Sequence, residues 1–177
     1  MKYAALEKNL IEMLKEEQIK LGYRSENVRL YYPLSSLNRL LGAALEAAEM
    51  EKALCGFVDH AKEHLGQIEI SRIGERFCLQ IPPEGVDYVH ARLTETEFIS
   101  DFIHTIEKHG CTIEEALQVF YKHSAQVHVE KITDGEFNYL VYFENGSPDD
   151  FRYCLKDEGC HIIYHRFTEG DYEEFGF

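Results

Sequence analysis

The pair Asp134-Gly135, set between two runs in which apolar and polar residues alternate, constrains this chain most. Asp-Gly readily supplies the positive φ angles of a tight hairpin turn, and alternation gives each flanking strand one face to bury. The runs at 126–133 and 136–144 are therefore expected to pair. Two further β-rich stretches, 150–156 and 160–167, extend the pair to a four-stranded antiparallel meander. Asn145-Gly146-Ser147-Pro148 and Glu158-Gly159 mark its later turns. A two-residue turn at 134–135 sets Val127 opposite Tyr142 and Val129 opposite Leu140. The opposite face carries Phe137, Tyr139, Val141 and Phe143, so both faces need cover. The N-terminal half is the expected second cover, and another copy of the chain is the alternative.

Two helices are expected to precede the meander. Thr94-x-x-Glu97 and Thr112-x-x-Glu115 read as capping boxes, the first ahead of Phe98, Phe102, Ile103 and Ile106, the second ahead of Ala116, Leu117 and Phe120. Gly110 separates the two helices.

The first half has a different order. Leu6, Leu10, Met13, Leu14 and Leu21 recur at helical spacing over 3–21, and Gly22 follows as a helix stop. Val28-Arg29-Leu30-Tyr31-Tyr32 is a short strand ended by Pro33. Ser35 or Ser36 caps a short helix that stops at Gly42, and a longer helix runs over about 44–65. Ile68 and Ile70, then Phe77, Leu79 and Ile81, form a hairpin closed by Pro82-Pro83. The class is α+β, with a helical half and hairpin over 1–82 and two helices plus the meander over 83–177, packed together. The boundary is expected at Pro82 to Gly85.

Charge divides the chain at the same place. Residues 1–82 hold 11 Lys and Arg against 12 Asp and Glu, whereas residues 83–177 hold 7 against 20. An acidic surface of this kind repels nucleic acid and anionic membrane and favours a basic partner. No apolar run reaches the ~18–20 residues of a membrane span, and Met1-Lys2-Tyr3 opens no signal peptide. The five cysteines (Cys55, Cys78, Cys111, Cys154, Cys160) are odd in number and scattered, as in a reduced, cytoplasmic protein.

The order helix, strand, helix, helix, hairpin in residues 3–82 resembles the winged helix-turn-helix family. Ser35-Ser36-Leu37-Asn38-Arg39-Leu40-Leu41-Gly42 stands where the first helix of the turn motif belongs, and Arg72-Ile73-Gly74-Glu75-Arg76 at the tip of the wing. The resemblance implies a recognition helix in the major groove and a basic wing on the backbone, with Arg39, Arg72 and Arg76 as its phosphate contacts. The helix in the recognition position is acidic, however. It carries Glu46, Glu49, Glu51, Asp59 and Glu63 against Lys52 and Lys62, which disfavours DNA, since phosphate contacts need Lys and Arg. A scaffold for protein contact accounts for the same elements.

His60-Ala61-Lys62-Glu63-His64 matches H-x-x-E-H and resembles the inverted zinc metallopeptidases, which implies zinc on His60 and His64 with Glu63 as base. A solvated helix face is the expected role of these residues, and no third ligand is singled out. His161 and His165 share a strand face but lie ~13 Å apart, too far for one ion. Cys111 precedes a helix N-terminus, which can lower a thiol pKa, yet no base stands beside it and an inert buried thiol is expected. The acidic pairs Glu114-Glu115, Asp149-Asp150 and Glu173-Glu174 are expected to be solvated.

The whole chain also resembles an uncharacterised bacterial family of about this length, through Leu30-Tyr31-Tyr32-Pro33-Leu34-Ser35-Ser36-Leu37 and Asp149-Asp150-Phe151-Arg152-Tyr153-Cys154. That resemblance implies a bacterial setting and assigns no activity. The functional expectation is a non-catalytic protein-interaction or regulatory protein of the bacterial cytosol. Its partner would be an unidentified protein or a second copy, with no cofactor and no membrane. A DNA-binding regulator is the first alternative and a metal-dependent hydrolase the second.

Overall fold

Leu6, Leu10 and Leu14 of α1 (Tyr3–Leu21) line one helix face and are wholly buried, as their spacing requires. The computed structural model describes residues 1–133 and 135–171, and the chain forms two compact units, Met1–Leu93 and Thr94–Phe177. The architecture is mixed α+β.

In the first unit, β1 (Val28–Pro33) runs directly into α2 (Leu34–Leu41). Gly42 ends α2 at φ +61°, and its N–H returns to Arg39 O. The next helix, α3 (Ala47–Leu65), begins three residues later than its expected start. The Asn38 amide grips Leu45 through both N–H (2.8 Å) and C=O (3.0 Å), which keeps that residue out of the helix. Glu46 and Glu49 then cap α3 reciprocally.

A hairpin of β2 (Glu69–Ile73) and β3 (Arg76–Ile81) follows, and β3 inserts between the others to give the antiparallel order β1-β3-β2. Leu79 faces Leu30 on one side and Ile70 on the other, and with Phe77 and Ile81 it meets Leu37, Leu54, Phe57 and Leu65 in the core.

One helix of this unit was not expected. Pro82-Pro83 reads as a stop, yet Pro83 is the first residue of α4 (Pro83–His90), where a missing N–H costs nothing and the fixed φ is already helical. Val86 and Val89 are buried in the first unit's core, each contributing about 1.5–3 kcal/mol. The composition change at 82–85 therefore lies inside the first unit.

In the second unit, α5 (Phe98–Ile106) and α6 (Ile113–His123) pack together. The Thr112–Glu115 capping box forms, with Glu115 N–H to Thr112 Oγ1 at 3.3 Å and Thr112 N–H to Glu115 Oε2 at 2.9 Å. The Thr94–Glu97 box does not. Glu97 itself occupies the extended cap position of α5, leaving Thr94 in the preceding turn.

The meander is β4 (Val127–Lys131), β5 (Tyr139–Phe143), β6 (Arg152–Asp157) and β7 (Ile162–Phe167), antiparallel in that order. Its first register differs by one residue from the expectation, since Val127 pairs with Phe143 and Val129 with Val141. Asp134 lies outside the described residues. The connection closes at Ile132 N–H to Asn138 O (2.8 Å), and Asn138 is also tied to β6 through Leu155 O and Asp157 N–H. These bonds fix the register, and a one-residue shift exchanges the faces. Phe143 and Tyr153 thus meet Phe98 and Phe120, with Phe102 against Tyr153 and Tyr164. On the other face Leu140, Cys154 and Phe167 form a small buried cluster flanked by half-buried Ile132, Phe137 and Tyr142.

Candidate functional site

The outward side of α3 and the adjacent hairpin tip form the surface on which the competing functional expectations meet. Apolar residues of α3 face the core, so Glu46, Glu49, Glu51, Lys52, Asp59, Lys62 and Glu63 are left exposed. The hairpin brings Arg72 to this helix: its guanidinium lies 4.0 Å from the Glu51 carboxylate and donates to Gly74 O at 3.1 Å. Arg76, at the start of β3 opposite Pro33 and Ile73, is exposed. Arg39 is half-buried in the last turn of α2, donating to Ser36 Oγ at 3.3 Å. The three arginines thus have three different environments.

His60 and His64 do share a helix face, and a carboxylate stands before them, but it is not Glu63. Glu7 of α1 reaches His64 Nδ1 at 2.6 Å and His60 Nε2 at 3.3 Å, while Glu63 points to solvent. The imidazoles continue into ring contacts, His60 with Tyr3 and His64 with Tyr88, and Arg92 lies over the Tyr88 ring at 3.5 Å. The arrangement ties α1 to α3. Among the described residues no group of three or more His, Cys, Asp and Glu has the disposition of a metal site. Glu7 was missed because partners on separate helices leave no spacing signal.

The second unit contains a buried charged network that sequence reasoning placed in solvent. Asp149, the first residue of an acidic pair, is 7% exposed. Its carboxylate accepts from Arg166 Nη2 at 2.9 Å, from Tyr153 Oη at 2.5 Å and from Phe151 N–H at 2.9 Å. The Arg166 guanidinium stacks on Phe151 at 3.9 Å. The available signal was Arg166 itself, a charge among the apolar and aromatic residues of β7. Asp150 is exposed, Glu114 and Glu115 lie in the first turn of α6, and Glu173-Glu174 lie outside the described residues.

The residues not expected to form sites stay apart. His165 packs beside Phe167 and Phe137, whereas His161 sits before β7 with its Nδ1 3.1 Å from Cys160 Sγ. Burial pushes the Cys111 thiol up, and Glu115 adds to the effect, opposite to activation by the α6 N-terminus. Cys111 lies beside a cavity of 480 Å³ also lined by Asp101, Lys108 and Lys122. There burial raises the Asp101 carboxyl, but hydrogen bonds from Lys122 (2.6 Å) and His123 (2.9 Å) outweigh it and hold the carboxyl below the ordinary carboxylate range.

The model of a family described as "Domain of unknown function, E. rectale Gene description (DUF3877)" matches residues 3–176. The chain belongs to this family. The match spans both units, so the DUF3877 description applies to the pair and not to the first unit alone. The family takes its description from a bacterium, in line with the resemblance carried by residues 30–37 and 149–154. Those two segments are β1 with the start of α2, and the Asp149 network with the start of β6. No curated protein and no solved structure matches the chain. Among the described residues no helix is long and apolar enough to cross a membrane.

Proposed function

We propose that this protein is a non-catalytic protein-interaction or regulatory protein of the bacterial cytosol, in which a winged-helix-like first unit presents α3 to a basic protein partner. The carrying observation is the Arg72–Glu51 pair. The residue that the DNA reading places on phosphate lies instead against an acid of the helix that reading places in the groove. Binding a polyanion there would require Arg72 to leave Glu51 and would bring Glu46, Glu49 and Glu51 against phosphates. A cationic surface meets the same residues with complementary charge. The element order and the strand order β1-β3-β2 support the winged-helix-like reading. The second unit adds to the acidity, with 6 Lys and Arg against 18 Asp and Glu in residues 94–177.

The test is fluorescence anisotropy with mixed-sequence duplex DNA across a salt titration. The expected result is no binding in the range roughly 10⁻⁴ to 10⁻⁶ M typical of non-specific DNA contacts. Recovery of no partner in pull-downs, together with turnover of a substrate in an activity screen, overturns the non-catalytic reading. A DNA-binding regulator is the second reading, favoured by Arg76, which is exposed at the hairpin tip. It requires that Arg72→Ala with Arg76→Ala weaken DNA binding and flatten its salt dependence.

A further inference from the structure

We infer that Cys160 is an oxidation site for hydroperoxides, and that Cys111 closes its oxidised form into a disulfide. Both residues lie in the second unit, and the inference does not depend on the function proposed for α3.

The two cysteines stand where the α5–α6 connection meets the β6–β7 turn. Glu158 N–H donates to His161 O at 3.1 Å, closing a four-residue turn with Gly159 at φ +85° and Cys160 exposed at its third position. Gly110 N–H reaches across to Cys160 O at 2.8 Å, so Cys111, the next residue, stands beside the same turn. Disulfides span Cα separations of roughly 4.4–6.8 Å, and residues paired through backbone hydrogen bonds lie about 5.5 Å apart. Cys111 is one residue beyond such a pairing, so closing the bridge takes a local shift of the connection. The surroundings permit one. Gly110 and Cys111 line the 480 Å³ cavity, and Gly110, at φ +78°, has open space where a side chain would point.

The two thiols differ in chemistry. Cys160 Sγ lies 3.1 Å from His161 Nδ1, and Glu158 stands 3.9 Å from Nε2 of the same ring. A carboxylate on that side favours the Nε2–H tautomer, which leaves Nδ1 to take the thiol proton. Cys111 is 4% exposed, with Sγ 3.5 Å from Thr112 O. Burial first, then Glu115 and Asp157 against the opposing Lys108, push its thiol up. Cys160 therefore meets the oxidant, and Cys111 follows slowly.

In the first step Cys160 Sγ passes its proton to His161 Nδ1 and attacks one oxygen of the hydroperoxide. An S–O bond forms, the O–O bond breaks, and the leaving oxygen collects the proton as an alcohol, or as water from hydrogen peroxide. Sulfur is oxidised to the sulfenic acid and the peroxide is reduced. Cys111 Sγ then attacks the Cys160 sulfur, an S–S bond forms, and the hydroxyl leaves with the Cys111 proton as water. Thiol reductants reverse the bridge by exchange.

The experiment treats the reduced full chain with hydrogen peroxide at neutral pH, blocks remaining thiols at intervals, and maps tryptic peptides by mass spectrometry. The expected product is a reducible link between peptides 109–122 and 157–166 within the monomer. Cys55, the other exposed thiol, is the internal reference and is expected to oxidise more slowly. His161→Gln, an exposed change, is expected to slow Cys160 oxidation about tenfold or more, the loss of a general base, with Cys55 unaffected. Cys111→Ser is expected to halt the reaction at a Cys160 sulfenic acid that dimedone traps. Oxidised Cys160 without the link to Cys111, or a link found only in covalent dimers, overturns the inference. Oxidation of Cys160 no faster than Cys55, or an unchanged rate in His161→Gln, overturns it too.

Discussion

Replacing Asp149 with Ala is expected to destabilise the second unit by about 3–5 kcal/mol, the range for breaking a buried ion pair from one side. The magnitude follows from the burial of the partners. The Arg166 side chain is 1% exposed and that of Asp149 5%, so neither charge has water to fall back on. Without Asp149 the guanidinium keeps its stacking on Phe151 but loses its carboxylate. Tyr153 Oη and Phe151 N–H lose their acceptors in the same step. For a unit of this length each kcal/mol shifts the melting midpoint by about 4–8 °C, so the loss is at least about 12 °C. The assay is urea unfolding followed by far-UV circular dichroism, because the chain has no tryptophan to serve as a fluorescence probe. Asp149→Asn keeps an acceptor for Phe151 N–H and loses the charge, so it is expected to fall between wild type and Asp149→Ala. Removing both charges in Asp149→Leu with Arg166→Met is expected to restore most of the stability, since an apolar pair of similar volume avoids the desolvation of both ions. A loss below about 1 kcal/mol in Asp149→Ala, the value of an exposed pair, refutes the reasoning. So does a double variant that simply adds the two single losses.

Three further outcomes are open to simpler measurement. Thiol titration of the native protein with a disulfide reagent is expected to show rapid reaction at Cys55 and Cys160, which are exposed, and none at Cys78, Cys111 and Cys154. Burial also pushes the Cys154 thiol up to about 11, so it has little thiolate at neutral pH. Fast modification of more than two thiols before unfolding counts against this packing. Gly85→Ala is expected to cost roughly 1–3 kcal/mol in urea unfolding, because the new Cβ would lie 2.5 Å from Leu65 O and 2.7 Å from Ile81 Cγ2; an unchanged midpoint contradicts this fit. Asp101→Asn is expected to lower stability at neutral pH by about 0.5–1 kcal/mol, since the Lys122 end of the pair is open to solvent. Because the folded carboxyl titrates below its unfolded value, its contribution is complete above the unfolded pKa and disappears as pH falls through the folded one. Melting curves of wild type and variant should therefore converge only at acid pH, and a gap that widens on acidification is the contrary result.

Sequence periodicity located elements wherever one face of a helix or strand had to be buried. Leu6, Leu10 and Leu14 mark α1, and Leu30 with Leu79 mark paired strands, because local pattern and tertiary burial agree there. It failed where a contact distant in sequence decided between two local readings. Asp134-Gly135 favours a two-residue turn, but the bonds that tie Asn138 to Ile132 and β6 set another register. Pro82-Pro83 reads as a break until Val86 and Val89 are seen to enter the core, at which point Pro83 becomes a helix start. Sites were less legible than elements for the same reason. Glu7 with His60 and His64, and Asp149 with Arg166, join residues 53, 57 and 17 positions apart, and no local spacing encodes such meetings.

The two charge pairs that involve arginine show why burial, rather than charge count, assigns roles in this molecule. Arg166 and Asp149 are both enclosed, so their interaction belongs to folding and is unavailable to a ligand. Arg72 and Glu51 are about half exposed at 4.0 Å, so their mutual attraction is weak and a partner can outbid it. An incoming carboxylate would take Arg72 and an incoming cation would take Glu51, but the neighbours of the pair are unequal. Glu46 and Glu49 stand on the same exposed stretch of α3 with Lys52 alone against them. The local field therefore favours the cation, and under the proposed function a basic surface docking on α3 would free Arg72 at the hairpin tip.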